Sequence, residues 1–208
     1  ASAGIYEDQV ELAEYTINHQ MDEILAGIYR RKPELLLMSC YIWNRREVTE
    51  RAASLKKVLP NLKIWAGGPE VTYDAEHFLR QNSAFDGVMI GEGEQTFYRL
   101  LDYYIGKNGT LEQIPGIAFR ESARVRQEEA ARVSDVGEQE TGGGSAFQST
   151  LPLIPTRNLD HLPFVYQDLQ KFENRILYYE TSRGCPFSCS YCLSSVDKRV
   201  RYRSMELV

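Results

Sequence analysis

The apolar positions of residues 9–120 follow two periods that alternate along the chain. Apolar runs, or strict alternation with polar residues, are typical of strands, whereas apolar residues three and four apart are typical of helices. The pattern predicts strands at 9–17, 35–40, 62–66, 87–90 and 115–120, and helices at 20–31, 47–59, 74–81 and 95–105. Strands that alternate with helices of this length form βαβ units around a parallel sheet. The predicted fold class is therefore a doubly wound α/β domain, with the strand at 35–40 covered on both faces.

This regularity ends at residue 120. Residues 121–149 are charged and then rich in Gly, Ser, Thr and Gln, and residues 151–164 contain three prolines. Such a composition buries little apolar surface. We therefore predict three parts: an α/β domain at 1–120, a partly disordered linker at 121–160, and the beginning of a second domain at 161–208. In the last part, a strand predicted at 175–180 leads directly into a group of cysteines.

Composition and charge narrow the functional classes. The chain has 208 residues, 43% of them hydrophobic, which is ordinary for a globular protein with a substantial core. Its net charge of −5 disfavours a dedicated nucleic-acid binder, which would usually present a basic face. No apolar run reaches the roughly 20 residues that span a bilayer, and no secretory signal pattern is found. We therefore expect a cytoplasmic protein with no nucleic-acid partner and no membrane span.

Three of the four cysteines lie within eight residues. Cys185, Cys189 and Cys192 form a C-x3-C-x2-C motif, and Tyr191 directly precedes the last of them. Thiolates are soft ligands that suit iron–sulfur clusters, and a four-iron cluster normally takes four of them. Three local thiolates would leave one iron without a protein ligand. The motif therefore predicts a [4Fe–4S] cluster with one iron open to a substrate or cofactor.

Two other interpretations of these cysteines stay open. A structural zinc site needs four nitrogen or sulfur ligands, usually as two pairs. No cysteine or histidine follows Cys192, and Cys40 lies in a predicted core strand, so zinc would need His161 or another distant ligand. Disulfides or unliganded thiols are the remaining alternative. The crowding of the three cysteines fits an intracellular metal site better.

Glycine-rich segments follow two of the predicted strands. Residues 67–69 read Gly-Gly-Pro, and residues 91–93 read Gly-Glu-Gly. In open α/β sheets, ligands bind beyond the carboxyl ends of the strands, and glycine lets a ligand approach the backbone there. Tight turns between strand and helix would also explain these glycines. Ser39, Tyr41 and Trp43 follow another strand and would line the same edge.

These motifs together resemble the radical S-adenosylmethionine enzymes that carry an N-terminal cobalamin-binding domain. The anaerobic magnesium-protoporphyrin IX monomethyl ester cyclases share this layout. The resemblance is carried by residues 67–72, 91–94, 162–164 and 183–192. It implies a flavodoxin-like cobalamin-binding domain followed by the beginning of a (β/α) barrel. The D-x-H-x-x-G motif of many cobalamin domains is absent, so any cobalamin here would be held without a histidine ligand.

The resemblance also implies a set of cofactors and contacts. A [4Fe–4S] cluster would bind S-adenosylmethionine at its open iron and cleave it reductively to methionine and a 5′-deoxyadenosyl radical. The metal ligands would be the three motif cysteines. Cofactor contacts would come from Tyr191, Ser39, Gly67, Gly68, Pro69, Thr72, Gly91, Glu92 and Gly93. Phe187 and Tyr191 would either pack beside the cluster or the adenine, or give the loop a hydrophobic cover.

The expected function follows from the same resemblance. The parent protein would be a radical S-adenosylmethionine oxidoreductase or transferase that acts on an unknown small molecule by methyl transfer, cyclisation or oxidative rearrangement. An electron donor of the flavodoxin or ferredoxin type would be its partner. The first strand and helix of such a domain, which would precede residue 9, are not found, and the chain stops soon after the cysteines. We therefore expect a fragment that turns over no substrate by itself.

Two functions of other classes remain as alternatives. One is a flavodoxin-like binding module, stapled by zinc and without catalysis. The other is an electron-transfer protein, which would need a fully ligated cluster and is disfavoured by the missing fourth thiolate. One bound zinc would indicate the binding module, whereas a cluster with an open iron would indicate the enzyme.

Overall fold

The computed structural model describes residues 4–121 and 147–208, except 165 and 167. Most of the predicted linker, residues 122–146, lies outside the described residues. The chain divides into two compact units, Ser2–Ile154 and Pro155–Val208, called here the first and the second unit. Among the described residues, no helix combines the length and the apolar character that a membrane span requires.

The first unit is built on a five-stranded sheet with the order β1-β2-β3-β4-β5. Its strands are Leu35–Ser39 (β1), Lys63–Gly67 (β2), Gly87–Met89 (β3), Ile117–Arg120 (β4) and Phe147–Ser149 (β5). Its α-helices are Met21–Arg31 (α1), Arg45–Val58 (α2), Pro69–Thr72 (α3), Ala75–Gln81 (α4) and Gly93–Tyr104 (α5). Short 3-10 helices lie at Gly4–Gln9 and Leu111–Gln113. The predicted alternation of helices and strands between residues 20 and 120 is confirmed.

The sheet is mixed, whereas the sequence predicted a parallel one. β1, β2 and β3 run parallel to one another, but β4 pairs antiparallel with β3 and β5 pairs antiparallel with β4. Met89 faces Ile117 in this register, so β4 begins where β3 ends. The chain therefore returns along the sheet after α5, with Ile114 buried on the way, before it enters β4. Periodicity identifies a strand but carries no information on its direction.

Helices cover both faces of the sheet, as a doubly wound fold requires. Successive side chains of a strand point to opposite faces. Ile64 and Ala66 of β2 belong to the apolar cluster formed with α1, α2, α3 and α4, whereas Trp65 belongs to the cluster formed with α5. The indole of Trp65 donates a hydrogen bond to the Tyr104 hydroxyl over 3.0 Å, so this large ring is buried without an unsatisfied donor.

Two strand predictions in this unit were wrong in part. The strand predicted at 9–17 is absent, since Gln9 ends a 3-10 helix and residues 10–17 form no strand, and β1 is half-buried where full burial was expected. Both differences have one cause. In the described part of the chain, β1 pairs only with β2, and a cavity of about 840 Å³ opens between β1 and residues 10–17. A segment that finds no partner strand gains no ladder hydrogen bonds to hold it extended.

The second unit contains a two-stranded antiparallel ladder. Ser182–Arg183 (β6) pairs with Arg201–Tyr202 (β7), and 3-10 helices lie at Leu159–His161, Leu169–Phe172, Leu193–Ser195 and Met205–Leu207. The strand predicted at 175–180 was wrong, because regular pairing begins only at Ser182. Of the described residues of this unit, only Leu159 and Arg203 are buried.

Candidate functional site

Three parallel strands end at the same edge of the sheet, called here the carboxyl edge. β1 ends at Ser39, β2 at Gly67 and β3 at Met89. Because parallel strands point their carboxyl ends the same way, the loops that follow them meet there. The structure thus brings together every candidate cofactor residue of the first unit: Ser39, Gly67, Gly68, Pro69, Thr72, Gly91, Glu92 and Gly93.

Hydrogen bonds join these three strand ends into one continuous edge. The backbone amide of Cys40 donates to the carbonyl oxygen of Gly67 over 2.7 Å. The Thr72 hydroxyl donates to the carbonyl oxygen of Gly68 over 2.9 Å and accepts from the backbone amide of Gly91 at 3.3 Å. Thr72 therefore links the loop after β2 to the loop after β3. Sequence reasoning proposed Thr72 as a cofactor contact and missed this linking role.

The glycines of the carboxyl edge differ in whether the backbone conformation or the space for a Cβ requires glycine at that position. Gly68 has a φ of +114°, and a Cβ there would lie 2.5 Å from the carbonyl oxygen of Cys40. Gly91 has a φ of +80°, so a tight turn explains it as well. Gly93 opens α5 with an ordinary φ, and a Cβ there would meet no atom within 4 Å. Backbone geometry therefore accounts for Gly68 and Gly91 but leaves Gly93 without a structural reason.

Two aromatic rings are exposed on the loop after β1. Tyr41 and Trp43 stack with their ring centroids 4.7 Å apart and their planes 9° from parallel, and Trp43 is 62% exposed. Asn44 holds this loop, because its side chain accepts from the Tyr41 amide over 2.7 Å and donates to the Ser39 carbonyl over 3.1 Å. Sequence reasoning missed Asn44, although asparagine is a common turn-forming residue.

The fourth cysteine belongs to the core of the first unit. Cys40 is fully buried, and this burial raises the pKa of its thiol to about 11, with Glu70 raising it further and Arg45 opposing the shift. Arg45 and Glu70 form an ion pair of 3.3 Å beside it. Cys40 therefore holds its proton more tightly than an exposed thiol does, and its burial in the core makes it a poor candidate for a thiolate ligand.

The other three cysteines lie on one loop of the second unit, between β6 and β7. Cys185, Cys189 and Cys192 are all half-buried, and all four cysteines of the chain are free thiols. The Cys192 amide donates to the Cys189 carbonyl over 3.2 Å. The Ser195 hydroxyl lies 2.9 Å and 2.6 Å from the carbonyl oxygens of Cys189 and Cys192. Ser195, which sequence reasoning missed, therefore fixes the turn that carries the last two cysteines.

The donor set of this loop fits an iron–sulfur cluster by its chemistry. Three free thiols occupy eight residues, and thiolates are the usual ligands of such clusters. The three thiols do not form a ready-made metal site in the structure. The described residues contain no group of three His, Cys, Asp or Glu side chains that could hold a metal ion. Among the same described residues, His161 likewise forms no such group with two of the cysteines.

The aromatic residues of the loop project into solvent. Phe187 is 69% exposed and Tyr191 is 90% exposed. A ring with that exposure covers little of its surroundings. Of the two roles considered for these residues, hydrophobic cover for the loop is therefore not observed, and contact with a cofactor stays a prediction.

Comparison with known proteins identifies the first unit. Residues 2–101 match the family described as the B12 binding domain. The first unit therefore contains a B12 binding domain. The segment matched includes the whole carboxyl edge, from Ser39 to Gly93, so the candidate cofactor residues of the first unit all lie inside this B12 binding domain.

Relatives of the chain are longer proteins. It is 33% identical over 161 residues to an uncharacterized methyltransferase of Pyrococcus horikoshii, covering 74% of this chain and 30% of that protein. It is 30% identical over 177 residues to the cobalamin-dependent radical SAM methyltransferase TokK of Streptomyces tokunonensis, covering 83% and 23%. An anaerobic magnesium-protoporphyrin IX monomethyl ester cyclase of Synechocystis is 28% identical, covering 66% and 24%. The chain thus spans less than a third of each of these relatives.

A solved structure shares the fold. The cobalamin-dependent S-adenosylmethionine radical enzyme OxsB, with aqua-cobalamin bound, matches with a TM-score of 0.65 and 18% identity over 91% of this chain and 24% of that one. The resemblance drawn from the sequence is confirmed, and so is the flavodoxin-like α/β class of the B12 binding domain. The beginning of a barrel after residue 161 stays a prediction.

Proposed function

We propose that this chain is the part of a cobalamin-dependent radical S-adenosylmethionine enzyme in which the cobalamin-binding domain joins the beginning of the catalytic domain. The observation that carries the proposal is the cysteine loop, with three free thiols in eight residues, in a chain that also contains a B12 binding domain. Relatives whose names combine cobalamin with radical S-adenosylmethionine chemistry support the same pairing.

In this proposal, Cys185, Cys189 and Cys192 hold a [4Fe–4S] cluster and leave one iron for S-adenosylmethionine. When bound, the cluster supplies the electron that cleaves S-adenosylmethionine to methionine and a 5′-deoxyadenosyl radical. The chain itself contributes the thiolates and the turn that Ser195 fixes between the last two of them. Tyr191, exposed beside Cys192, is the candidate contact to the bound S-adenosylmethionine.

The carboxyl edge of the B12 binding domain is the proposed cobalamin site. Gly93 supports this proposal, because open space surrounds the position where its Cβ would lie and no backbone strain requires glycine there. The stacked rings of Tyr41 and Trp43 offer an exposed flat surface on the same edge. Ser39, Gly67, Gly68, Pro69, Thr72, Gly91 and Glu92 complete the proposed contacts. No histidine is proposed as a ligand of the cobalt.

Methyl transfer is the reaction that we propose for the parent protein. The word methyltransferase occurs in the names of several relatives, whereas cyclases are the second group among them. Oxidative rearrangement remains the third reaction of this cofactor pair. The substrate would be a small molecule, and a flavodoxin or ferredoxin would supply the electron. Turnover would require the longer protein, since the relatives extend far beyond the matched region.

Anaerobic reconstitution of the chain with iron and sulfide tests the proposal. We expect about four irons per chain. The electron paramagnetic resonance spectrum of the reduced sample should change when S-adenosylmethionine is added, because that ligand would bind the open iron. About one tightly held zinc and no reducible cluster would contradict the proposal and would indicate the zinc-stapled binding module instead.

A further inference from the structure

Arg201 of β7 and Arg203, just after this strand, are the main buried charges among the described residues of the second unit. The side chain of Arg201 is only 13% exposed, and Arg203 is 8% exposed. Arg203 donates to the carbonyl oxygens of Leu159 and Leu162, over 3.1 Å and 2.5 Å, and stacks on the ring of Tyr179. It therefore ties the 3-10 turn at Leu159–His161 to the segment that directly follows β7.

Arg201 makes a different connection, which reaches the cysteine loop. Its guanidinium donates to the carboxylate of Asp197 over 2.9 Å and to the carbonyl oxygen of Thr156 over 2.7 Å. The arginine end of this ion pair is largely withdrawn from water, whereas the Asp197 side chain is 39% exposed. The two contacts together fix the place of the Asp197 side chain.

Asp197 closes the loop that carries the three cysteines. Its backbone carbonyl accepts from the Cys185 amide over 2.9 Å, and its carboxylate accepts from the Arg199 amide over 3.2 Å. Gly184 has a φ of +93° and packs so closely on the backbone carbonyl of Arg199 that a Cβ has no room. The first cysteine is thus held directly against the residue that Arg201 fixes.

We infer that Arg201 is a positioning residue for the cysteine loop, acting through its ion pair with Asp197. A displacement of the whole Asp197 residue would break both the ion pair with Arg201 and the hydrogen bond from the Cys185 amide. The ion pair therefore keeps the loop closed at its first cysteine and limits how far Cys185 can move from Cys189 and Cys192. This inference rests on the proposed function, because the role of the closed loop is to hold the cluster.

The rate at which the cluster is lost tests the inference. The whole chain and its Asp197→Asn and Arg201→Lys variants are reconstituted anaerobically and mixed with a ferrous-iron chelator. Because each variant weakens a charge-assisted hydrogen bond, we expect both to lose iron about tenfold faster than the unaltered chain. Glu180→Gln is the matched control, since it removes an ion pair of 2.7 Å with Arg183 of the neighbouring strand. Its mostly exposed carboxylate should change the rate by less than about twofold.

Hydrogen exchange of the Cys185 amide gives a second readout that needs no cluster. In the metal-free chain, this amide should exchange faster in Asp197→Asn and Arg201→Lys but not in Glu180→Gln. The amide of Arg203, which donates to the Thr181 carbonyl over 2.8 Å, reports whether β6 and β7 still pair. Unchanged iron loss and unchanged Cys185 exchange would overturn the inference. Loss of the Arg203 protection in both variants would also overturn it, because the ion pair would then support the unit as a whole.

The two proposals fail in different ways. If the unaltered chain binds no iron, the proposed function fails, and the exchange of the Cys185 amide still decides whether Arg201 positions the loop. If the unaltered chain binds about four irons but the variants retain them equally well, the proposed function stands and the positioning role fails.

Discussion

Gly68 and Gly93 lie on the same carboxyl edge for different physical reasons. The backbone of Gly68 has a conformation that other residues rarely adopt, and a Cβ there would clash with the Cys40 carbonyl oxygen. Gly93 has neither constraint. At the scale of the residue, stability and binding should therefore be separable by substitution: one glycine maintains the edge, and the other keeps space open in front of it.

Replacing these glycines by alanine tests that separation. Gly68→Ala should lower the free energy of unfolding by roughly 1–3 kcal/mol, because it combines a strained φ with a steric clash. Gly93→Ala should leave stability within about 0.5 kcal/mol, since its methyl group meets no atom. Gly93→Ala should instead weaken the binding of added hydroxocobalamin by about tenfold, because the methyl group intrudes on the ligand. Urea unfolding and visible-absorbance titration measure the two quantities. Equal losses of stability in both variants would contradict the distinction.

Cys40 gives the first unit a dependence on alkaline pH. Burial raises the pKa of its thiol from an ordinary value of 9.0 to about 11, so the folded chain holds this proton more tightly than the unfolded chain does. The stabilisation is complete below the ordinary pKa and is lost as the pH rises toward 11. Between pH 8 and pH 11, the unaltered chain should lose about 2 kcal/mol more stability than Cys40→Ala. Urea unfolding at both pH values measures the difference, and parallel pH profiles would exclude it.

At the scale of elements, β5 is attached to the sheet through an arginine. The guanidinium of Arg120 donates to the carbonyl oxygens of Phe85, Leu79 and Asn82, at the end of α4 and just beyond it. The same guanidinium lies 4.9 Å from the ring centroid of Phe147, the first residue of β5. One side chain thus connects α4, β4 and β5. Residues 122–146 separate β5 from β4 in the sequence. The contacts of Arg120 therefore help to hold β5 beside β4, as a short connecting turn would do in a hairpin.

Arg120→Lys should loosen β5 and leave the parallel strands intact. Lysine keeps the charge but cannot match a planar fork that reaches three carbonyl oxygens. Hydrogen exchange should accelerate at the Thr150 amide, which donates to Ile117 over 2.9 Å, and should stay unchanged at amides between β1 and β2. Arg80→Lys is the control, because Arg80 contacts the same Phe147 ring from the exposed surface of α4. Equal acceleration in both variants would show that the ring contact matters more than the carbonyl contacts.

Helices were easier to predict than strands, for a physical reason. The hydrogen bonds of a helix are local, so the stripe of apolar residues is enough to locate it, and α1, α2, α4 and α5 all lie close to their predicted bounds. A strand exists only with a partner, which one segment does not reveal. The segments at 9–17 and 175–180 had strand-like composition and no partner among the described residues. The direction of β4 was missed for the same reason.

The sequence predicts those residues of the candidate site whose role depends on residue type alone. Glycines after strands and three closely spaced cysteines are visible in the sequence. Side chains that act through long-range contacts are not. Thr72 reaches Gly91 across nineteen positions, and Arg201 reaches Thr156 across forty-five. Such partners follow only from the folded chain.

At the scale of the whole molecule, the two proposed cofactors belong to different units. The carboxyl edge lies within Ser2–Ile154, and the cysteine loop lies within Pro155–Val208. The proposed contacts to each cofactor come from one unit alone. Within this chain, we therefore expect the two cofactors to bind independently.

Cys189→Ser tests this independence. Serine offers a harder and less acidic ligand than cysteine, so the variant should lose most of the reconstituted iron. Its affinity for hydroxocobalamin should stay within about twofold of the unaltered chain, because Cys189 belongs to the other unit. Metal analysis and visible-absorbance titration measure the two responses, with Ser190→Ala, at an exposed position of the same loop, as the control. A parallel loss of cobalamin affinity would contradict independent binding.

The hydrogen bonds that run from Cys40 through Gly67 and Gly68 to Thr72 and Gly91 have a thermodynamic consequence. A cofactor that settles on an edge already linked in this way has few torsions left to freeze, so little of its binding enthalpy is offset by lost chain entropy. The cysteine loop differs, because its thiols are not gathered in advance. Inserting a cluster there must also order the ligands, so part of its binding free energy becomes folding free energy. Calorimetry would then record a small entropic cost of ordering the chain when cobalamin binds the carboxyl edge, and a large one when the cluster enters the cysteine loop.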